Sequence, residues 1–216
     1  MTLTYSTTVV KINDAELTIR HFADRNQFPT VDEQVAIGAQ VWGGDVPESL
    51  WPLVGTIWPS GVVLAEAVAG MDLQNKRILE IGCGLGLASL LAHQGGHDVT
   101  ASDYNPFADI LLKENARLNE LSPVKFLTLS FQDPFLGEPY DLIVASDVMY
   151  EPGCGAHLIR FLKAALKKTG EAVFVDPGRA HVGKFESELL RNGFTCQSVR
   201  PVKGEKIRLI SIRHAI

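Results

Sequence analysis

Three glycines at alternate positions and a set of spaced carboxylates define the chemistry open to this chain. In Arg77-Ile-Leu-Glu-Ile-Gly-Cys-Gly-Leu-Gly-Leu-Ala88, Glu80 precedes Gly82, Gly84 and Gly86, and Cys83 lies inside the turn. Glycine has no Cβ, so such a turn bends sharply and lets a ligand approach the backbone. Asp103 closes the next apolar stretch, about 20 residues on, where a carboxylate grips a ribose diol. Dinucleotide loops read G-x-G-x-x-G, whereas here the spacing is G-x-G-x-G, with Leu87 and then Ala88. The loop has no Arg or Lys and no G-K-[ST], which argues against a triphosphate. The strand, turn and following helix read as a nucleotide cradle. Farther on, Ser146, Asp147 and Tyr150 follow an apolar run, a carboxylate and a phenol that could hold an amine.

These residues need a scaffold that gathers them at one edge. From residue 76 the chain alternates apolar strands with amphipathic helices. Strands are predicted near 77–82, 98–103, 124–129, 140–146 and 171–176, and helices near 86–94, 107–118 and 156–168. Such alternation implies a parallel sheet with right-handed crossovers. A helix at 181–192 precedes strands at 194–200 and 206–213, which flank Lys203-Gly-Glu205 as a hairpin. Asn105-Pro106 reads as a cap followed by proline at the first helical position. Gly95-Gly96 and Gly170 stand where helix ends need a left-handed residue. Before the glycine turn, residues 7–13 and 15–22 alternate about Asn13-Asp14 as a hairpin, and Ser60 could cap a helix at 61–69. Residues 24–57, with Pro29, Gly43-Gly44, Pro47 and Pro52, read as a cap, with Trp42 and Trp51 as its packing. The expectation is one domain over 1–216: hairpin and cap at 1–57, and an α/β core at 58–216.

Composition bounds the function. The chain has 216 residues, 46% of them hydrophobic, enough for one sizeable core. A net charge of -5 supplies no global basic field to recruit nucleic acid. Cys83, Cys154 and Cys196 show no C-x-x-C spacing, which argues against a disulfide framework or zinc site and fits a reducing, cytoplasmic setting. His93, His97, His157 and His181 share no metal-ligand spacing. The N-terminal residues lack the basic-then-apolar pattern of a signal peptide, and the apolar runs are too short to span a bilayer.

E-x-G-x-G-x-G resembles the cofactor signature of the seven-stranded, class I S-adenosylmethionine-dependent methyltransferases. That likeness implies a Rossmann-like sheet of order 3-2-1-4-5-7-6 with the last strand inserted antiparallel. Four further stretches narrow it: Trp51-Pro-Leu-Val-Gly-Thr-Ile-Trp-Pro-Ser-Gly61, Ser130-Phe-Gln-Asp-Pro134, Asp147-Val-Met-Tyr150 and Val175-Asp-Pro-Gly-Arg179. Together they resemble the small protein-lysine methyltransferases with a D-x-x-Y motif. The Trp-Pro-x-Gly and Asp-Pro-Gly-Arg elements are most like the branch that methylates the β-subunit of electron transfer flavoprotein. The resemblance covers about residues 50 to 180.

It implies S-adenosyl-L-methionine as cofactor, S-adenosyl-L-homocysteine as product and no metal. It places Trp58, Glu80, Gly82, Cys83, Gly84, Gly86, Asp103, Tyr104, Asp133 and Ser146 around the cofactor, and Asp147 and Tyr150 at the methyl acceptor. Most of these have a plainer reading. Asp133 holds the adenine amine or caps a loop beside Pro134. Trp58 covers the sulfonium or packs under the cap, and Tyr104 lies along the nucleoside or is an exposed turn residue. Tyr150 orients the acceptor or packs at a strand exit, and Arg179 pairs with Asp176 or meets substrate. A lysine acceptor has to lose its proton, and Asp147 would raise the lysine pKa, so Asp147 suits binding and orientation better than general-base work. Two other functions stay open: a small-molecule N-methyltransferase and a non-catalytic S-adenosylmethionine-binding module. Nucleic-acid methylation is disfavoured, because no N-P-P-[YF] tetrapeptide follows strand four.

Overall fold

The computed structural model describes residues 3–27, 30–33, 51–151 and 153–215. Trp42, Pro29, Gly43-Gly44 and Pro47 of the expected cap lie outside these residues, as does the side chain of Trp51. Strands β3 (Arg77–Ile81), β4 (Asp98–Asp103), β5 (Lys125–Thr128), β6 (Tyr140–Ser146), β7 (Leu166–Asp176), β8 (Phe194–Val199) and β9 (Arg208–His214) form one sheet. Its order is β5-β4-β3-β6-β7-β9-β8. Strands β3 to β7 are parallel, and β9 enters antiparallel between β7 and β8. This is the order that the resemblance implies.

Strand periodicity builds both faces of the sheet. Leu142, Val144, Val173 and Val175 point into one apolar cluster, while Ile143, Ala145, Ala172 and Phe174 point into the other. The first face is covered by helices α2 (Pro59–Ala69), α3 (Leu87–Gln94) and α4 (Phe107–Leu118). The second is covered by α5 (Cys154–Ala165) and α6 (Val182–Arg191). A four-residue helix, α1 (Trp51–Val54), precedes α2.

Three local expectations are corrected. The helix expected at 156–168 is α5, which ends at Ala165, and residues 166–170 already belong to β7. Leu166 is buried opposite Tyr140, and the register shifts before the next pair, so a bulge brings this stretch into the sheet. Gly170 therefore caps no helix. A Cβ there would sit 2.9 Å from Asp141 O, so glycine answers a close backbone approach. Ser60 is not a cap either: α2 starts at Pro59 behind Trp58, and the Ser60 hydroxyl is buried without a hydrogen-bond partner among the described residues.

Strands β1 (Tyr5–Ile12) and β2 (Ala15–Phe22) form the expected hairpin about Asn13-Asp14. Its apolar residues Ile12, Leu17, Ile19 and Phe22 join the core beneath α2, α3 and α4. The free edge of β2 meets side chains instead of another strand. Asn119 Oδ1 accepts from Thr18 N and its Nδ2 donates to Thr18 O, both at 2.8 Å. Asn115 Oδ1 accepts from Arg20 N at 2.7 Å, and its Nδ2 donates to Leu85 O, inside the glycine turn, at 3.4 Å. A side-chain amide carries the same donor and acceptor as a peptide, so two asparagines one helical turn apart imitate a strand. Replacing Asn115 by alanine strands two buried backbone groups. It should destabilise the fold by about 2–4 kcal/mol in urea unfolding. A loss below about 1 kcal/mol would mean that water replaces these bonds.

Candidate active site

Parallel α/β sheets bind ligands beyond the C-terminal ends of their strands. At that edge lies a cavity of about 350 Å³, within the usual range for small-molecule sites. Trp58, Glu80, Gly82, Cys83, Gly84, Asp103, Tyr104, Asp133, Ser146, Asp147 and Tyr150 all line it. Gly86, grouped with them on sequence, does not. It starts α3 at a φ of 74°, and a Cβ there would lie 2.4 Å from Leu112 Cδ1, so it serves the turn and its packing.

At the glycine turn, Gly82 and Gly84 hold left-handed φ values of 63° and 53°. A Cβ on Gly82 would meet Val148 Cγ1 at 2.8 Å. Asp103 fastens the turn from the next strand. One of its carboxylate oxygens accepts from Gly84 N at 3.0 Å and the other from Asn105 N at 2.9 Å. Burial raises its pKa, and the backbone N–H groups of Asn105, Gly84 and Tyr104 pull it back. Each oxygen keeps further lone-pair capacity for a hydroxyl. Asn105 in turn accepts from Phe107 N at 3.0 Å and so caps α4, as its place before Pro106 predicts.

Glu80 is buried below the turn. Its Oε2 accepts from both the amide and the hydroxyl of Ser89, tying β3 to the first turn of α3. Burial pushes its pKa up to about 7, against the pull of Ser89 and with a smaller upward push from Asp103. The folded chain therefore holds a proton there between 4.5 and about 7 that the unfolded chain has released. Stability from this group is full below 4.5 and falls as pH rises to about 7. Glu80→Gln should remove a pH-dependent loss of roughly 3 kcal/mol. Urea midpoints of the two proteins, followed from acid to neutral pH, should diverge across that window. Parallel curves would show that Glu80 titrates normally.

The other end of the cavity is built where β6 and β7 run out. Asp147 has a left-handed φ of 59°, rare for a residue with a side chain, and its N–H donates to Val175 O at 2.9 Å. Burial raises its pKa, and the adjacent Arg179 guanidinium lowers it. Arg179 Nη1 donates to Asp147 Oδ1. Sequence reading paired Arg179 with Asp176; the structure adds Asp147 as its hydrogen-bonded partner. Asp176 falls at the C-terminal end of β7 but is fully buried and is not on the cavity wall. Tyr150 is half-buried, and burial pushes its phenol up to about 12, so it remains a proton donor at neutral pH. Trp58 presents its ring to the cavity while its indole N–H donates to Leu53 O at 2.9 Å. Asp133 lies past the end of β5, exposed at the mouth.

Glu80, Asp103, Asp133, Asp147 and Glu151 thus face a cavity in which Arg179 is the one cationic side chain among the described residues. That excess of carboxylates suits a cationic ligand. Sequence reading missed the apolar wall from Leu53 and Val54 and the Leu129–Gln132 stretch. It also missed Asn115, whose signal was available: an amide in the buried register of Leu111, Leu112 and Ala116.

A family profile described as lysine methyltransferase matches residues 32–184. The chain belongs to the lysine methyltransferase family. The electron transfer flavoprotein beta subunit lysine methyltransferase of Danio rerio is 31% identical over 152 residues, 67% of this chain and 55% of that protein. The calmodulin-lysine N-methyltransferase of Arabidopsis thaliana is 34% identical over 146 residues, 61% of this chain and 48% of that protein. The chain thus spans about half the length of these curated relatives. A solved ribosomal protein methylase from Lactobacillus delbrueckii subsp. bulgaricus has a TM-score of 0.64 at 21% identity, over 74% of this chain and 81% of that one. At that identity the likeness speaks for the fold. Membership of the lysine methyltransferase family and the seven-stranded sheet agree with the resemblance drawn from the glycine turn and D-x-x-Y. Among the described residues, no helix is long and apolar enough to cross a membrane.

Proposed function

We propose that this chain transfers a methyl group from S-adenosyl-L-methionine to a lysine side chain of a protein, releasing S-adenosyl-L-homocysteine. The β-subunit of electron transfer flavoprotein is the first candidate substrate, because relatives bear that name. The observation that carries the reading is a shared cavity: the glycine turn with Asp103 at one end and the Asp147–Tyr150 pair at the other. The residues suit the cofactor. Gly82 and Gly84 leave backbone open where side chains would crowd it, Asp103 offers carboxylate oxygens to a ribose, and the acidic wall accepts a sulfonium and an amine.

When bound, the cofactor supplies an electrophilic methyl group for in-line displacement. The chain's own work is placement. In this reading Glu80 and Ser146 line the cofactor's path with Gly82, Cys83 and Gly84, while Gly86 sets the turn from behind. Asp133 accepts from the adenine amine, Tyr104 lies along the nucleoside, and the Trp58 ring covers the sulfonium, a contact that favours a cation over an aromatic face. Asp147 holds the incoming amine and Tyr150 orients it. Lysine has to lose its proton before it attacks, and partial desolvation favours that loss.

The test is transfer of radiolabelled methyl groups to purified electron transfer flavoprotein and to a cell extract, with and without later protease treatment. Label in a protease-sensitive band, located on lysine by mass spectrometry, supports the proposal. Label confined to small molecules moves the function to a small-molecule N-methyltransferase. Cofactor binding without any transfer leaves a binding module.

A further inference from the structure

Arg179 stands where a positively charged acceptor would bind. Its guanidinium donates to Asp147 Oδ1, the carboxylate assigned above to the incoming amine, and its side chain is 31% exposed at the cavity wall. Its anchor is Asp176, whose Oδ1 accepts from both Gly178 N and Arg179 N at 2.7 Å. Those two hydrogen bonds fix the backbone of the turn, and the side chain beyond it pairs with Asp147 and reaches toward Asp176. The other oxygen, Asp176 Oδ2, is buried, lies 3.7 Å from Arg179 Nη1 and has no hydrogen-bond partner among the described residues. A buried carboxylate oxygen without a donor is costly and uncommon. A shift of less than about 1 Å would bring the guanidinium within normal hydrogen-bond distance of it.

We propose that Arg179 is a resident cation that occupies the acceptor subsite on Asp147 and withdraws to Asp176 Oδ2 when a substrate ammonium arrives. Two carboxylates share one guanidinium, so the cluster has room for a second positive charge. The planar guanidinium can span both carboxylates, whereas an ammonium is a compact point charge that fits the space vacated at one. An acceptor gains entry only by competing with Arg179, which selects for cationic side chains and against neutral ones. The inference rests on the reading of Asp147 as the acceptor carboxylate.

Its test needs no knowledge of the substrate. The probe is n-butylamine, the lysine side chain without its backbone, titrated into the full chain saturated with S-adenosylhomocysteine and followed by NMR. At about pH 8 an alkylamine is still an ammonium and an aspartate is ionised. Arg179→Gln should tighten butylammonium binding about fivefold, as removal of a competing ion pair allows. Arg179→Lys keeps a competing cation and should stay within about twofold of the parent. The gain in Arg179→Gln should vanish when Asp147→Asn is added. Thermal melts check that each variant is folded. Equal or weaker binding by Arg179→Gln, or a gain that survives without the Asp147 charge, would overturn the proposal. These outcomes are independent of radiolabel transfer, so a chain that methylates no protein would sink the functional reading without deciding this one.

Discussion

An Asp103→Ala variant should bind S-adenosylhomocysteine about a hundredfold or more weakly while remaining folded. Asp103 has two tasks. It accepts from the backbone of Gly84 and of Asn105, so it sets the shape of the glycine turn and the exit of β4 together. It also presents a buried carboxylate to the cavity, where a ribose hydroxyl would donate to it. Hydrogen bonds to a charged acceptor contribute about 1.5–3 kcal/mol each, and two of them convert to at least two powers of ten in affinity. Asp103→Asn keeps the shape but turns an NH2 group toward a backbone N–H, and should fall between parent and alanine. Calorimetry gives the affinities, and circular dichroism confirms the fold. An Asp103→Ala dissociation constant within about threefold of the parent would remove this residue from the cofactor site.

Turnover, by contrast, should fall about a hundredfold in Asp147→Asn with little change in cofactor affinity. Asparagine is the informative choice because Asp147 sits at a φ of 59°. Asn tolerates the left-handed region, whereas alanine adds a backbone penalty of about 1–2 kcal/mol that would blur the result. The substitution removes one charge from the cavity wall at Asp147 and leaves Gly84, Asp103 and Glu80 in place. A loss confined to transfer would mark Asp147 as an acceptor group; equal losses in cofactor binding and transfer would instead make it a structural support. Unchanged turnover would remove it from the reaction.

The central architecture was legible because its signals are local. Apolar residues such as Ile78, Leu79 and Ile81, and the run Leu142–Ala145, announce buried strands, and the glycine turn between β3 and α3 fixes the cavity's position. D-x-x-Y and Asp103 marked two parts of the same cavity wall. What the sequence hid depends on contacts between distant residues. Leu166-Lys-Lys-Thr-Gly170 continues a helical pattern, yet pairing with Tyr140 and the approach of Asp141 O make it strand. Arg179 and Asp176 are three residues apart, so their proximity was readable. The bond from Arg179 to Asp147 crosses 32 residues and requires β6 and β7 to be neighbours. The buried register of Asn115 was readable, but the β2 edge that it and Asn119 complete lies 95 and 101 residues away along the chain.

That ladder has a consequence for biosynthesis. Thr18 and the Asn119 amide that completes its edge are separated by 101 residues. A ribosome adding about 5–20 residues per second leaves the hairpin waiting roughly 5–20 s for its partner. Through that interval Ile12, Leu17 and Ile19 lack the part of their core that α4 supplies, and an isolated two-stranded hairpin is at best marginally stable. The hairpin therefore leaves the ribosome well before the helix that finishes its edge, and the nascent chain carries a sticky, half-made edge until α4 has been translated.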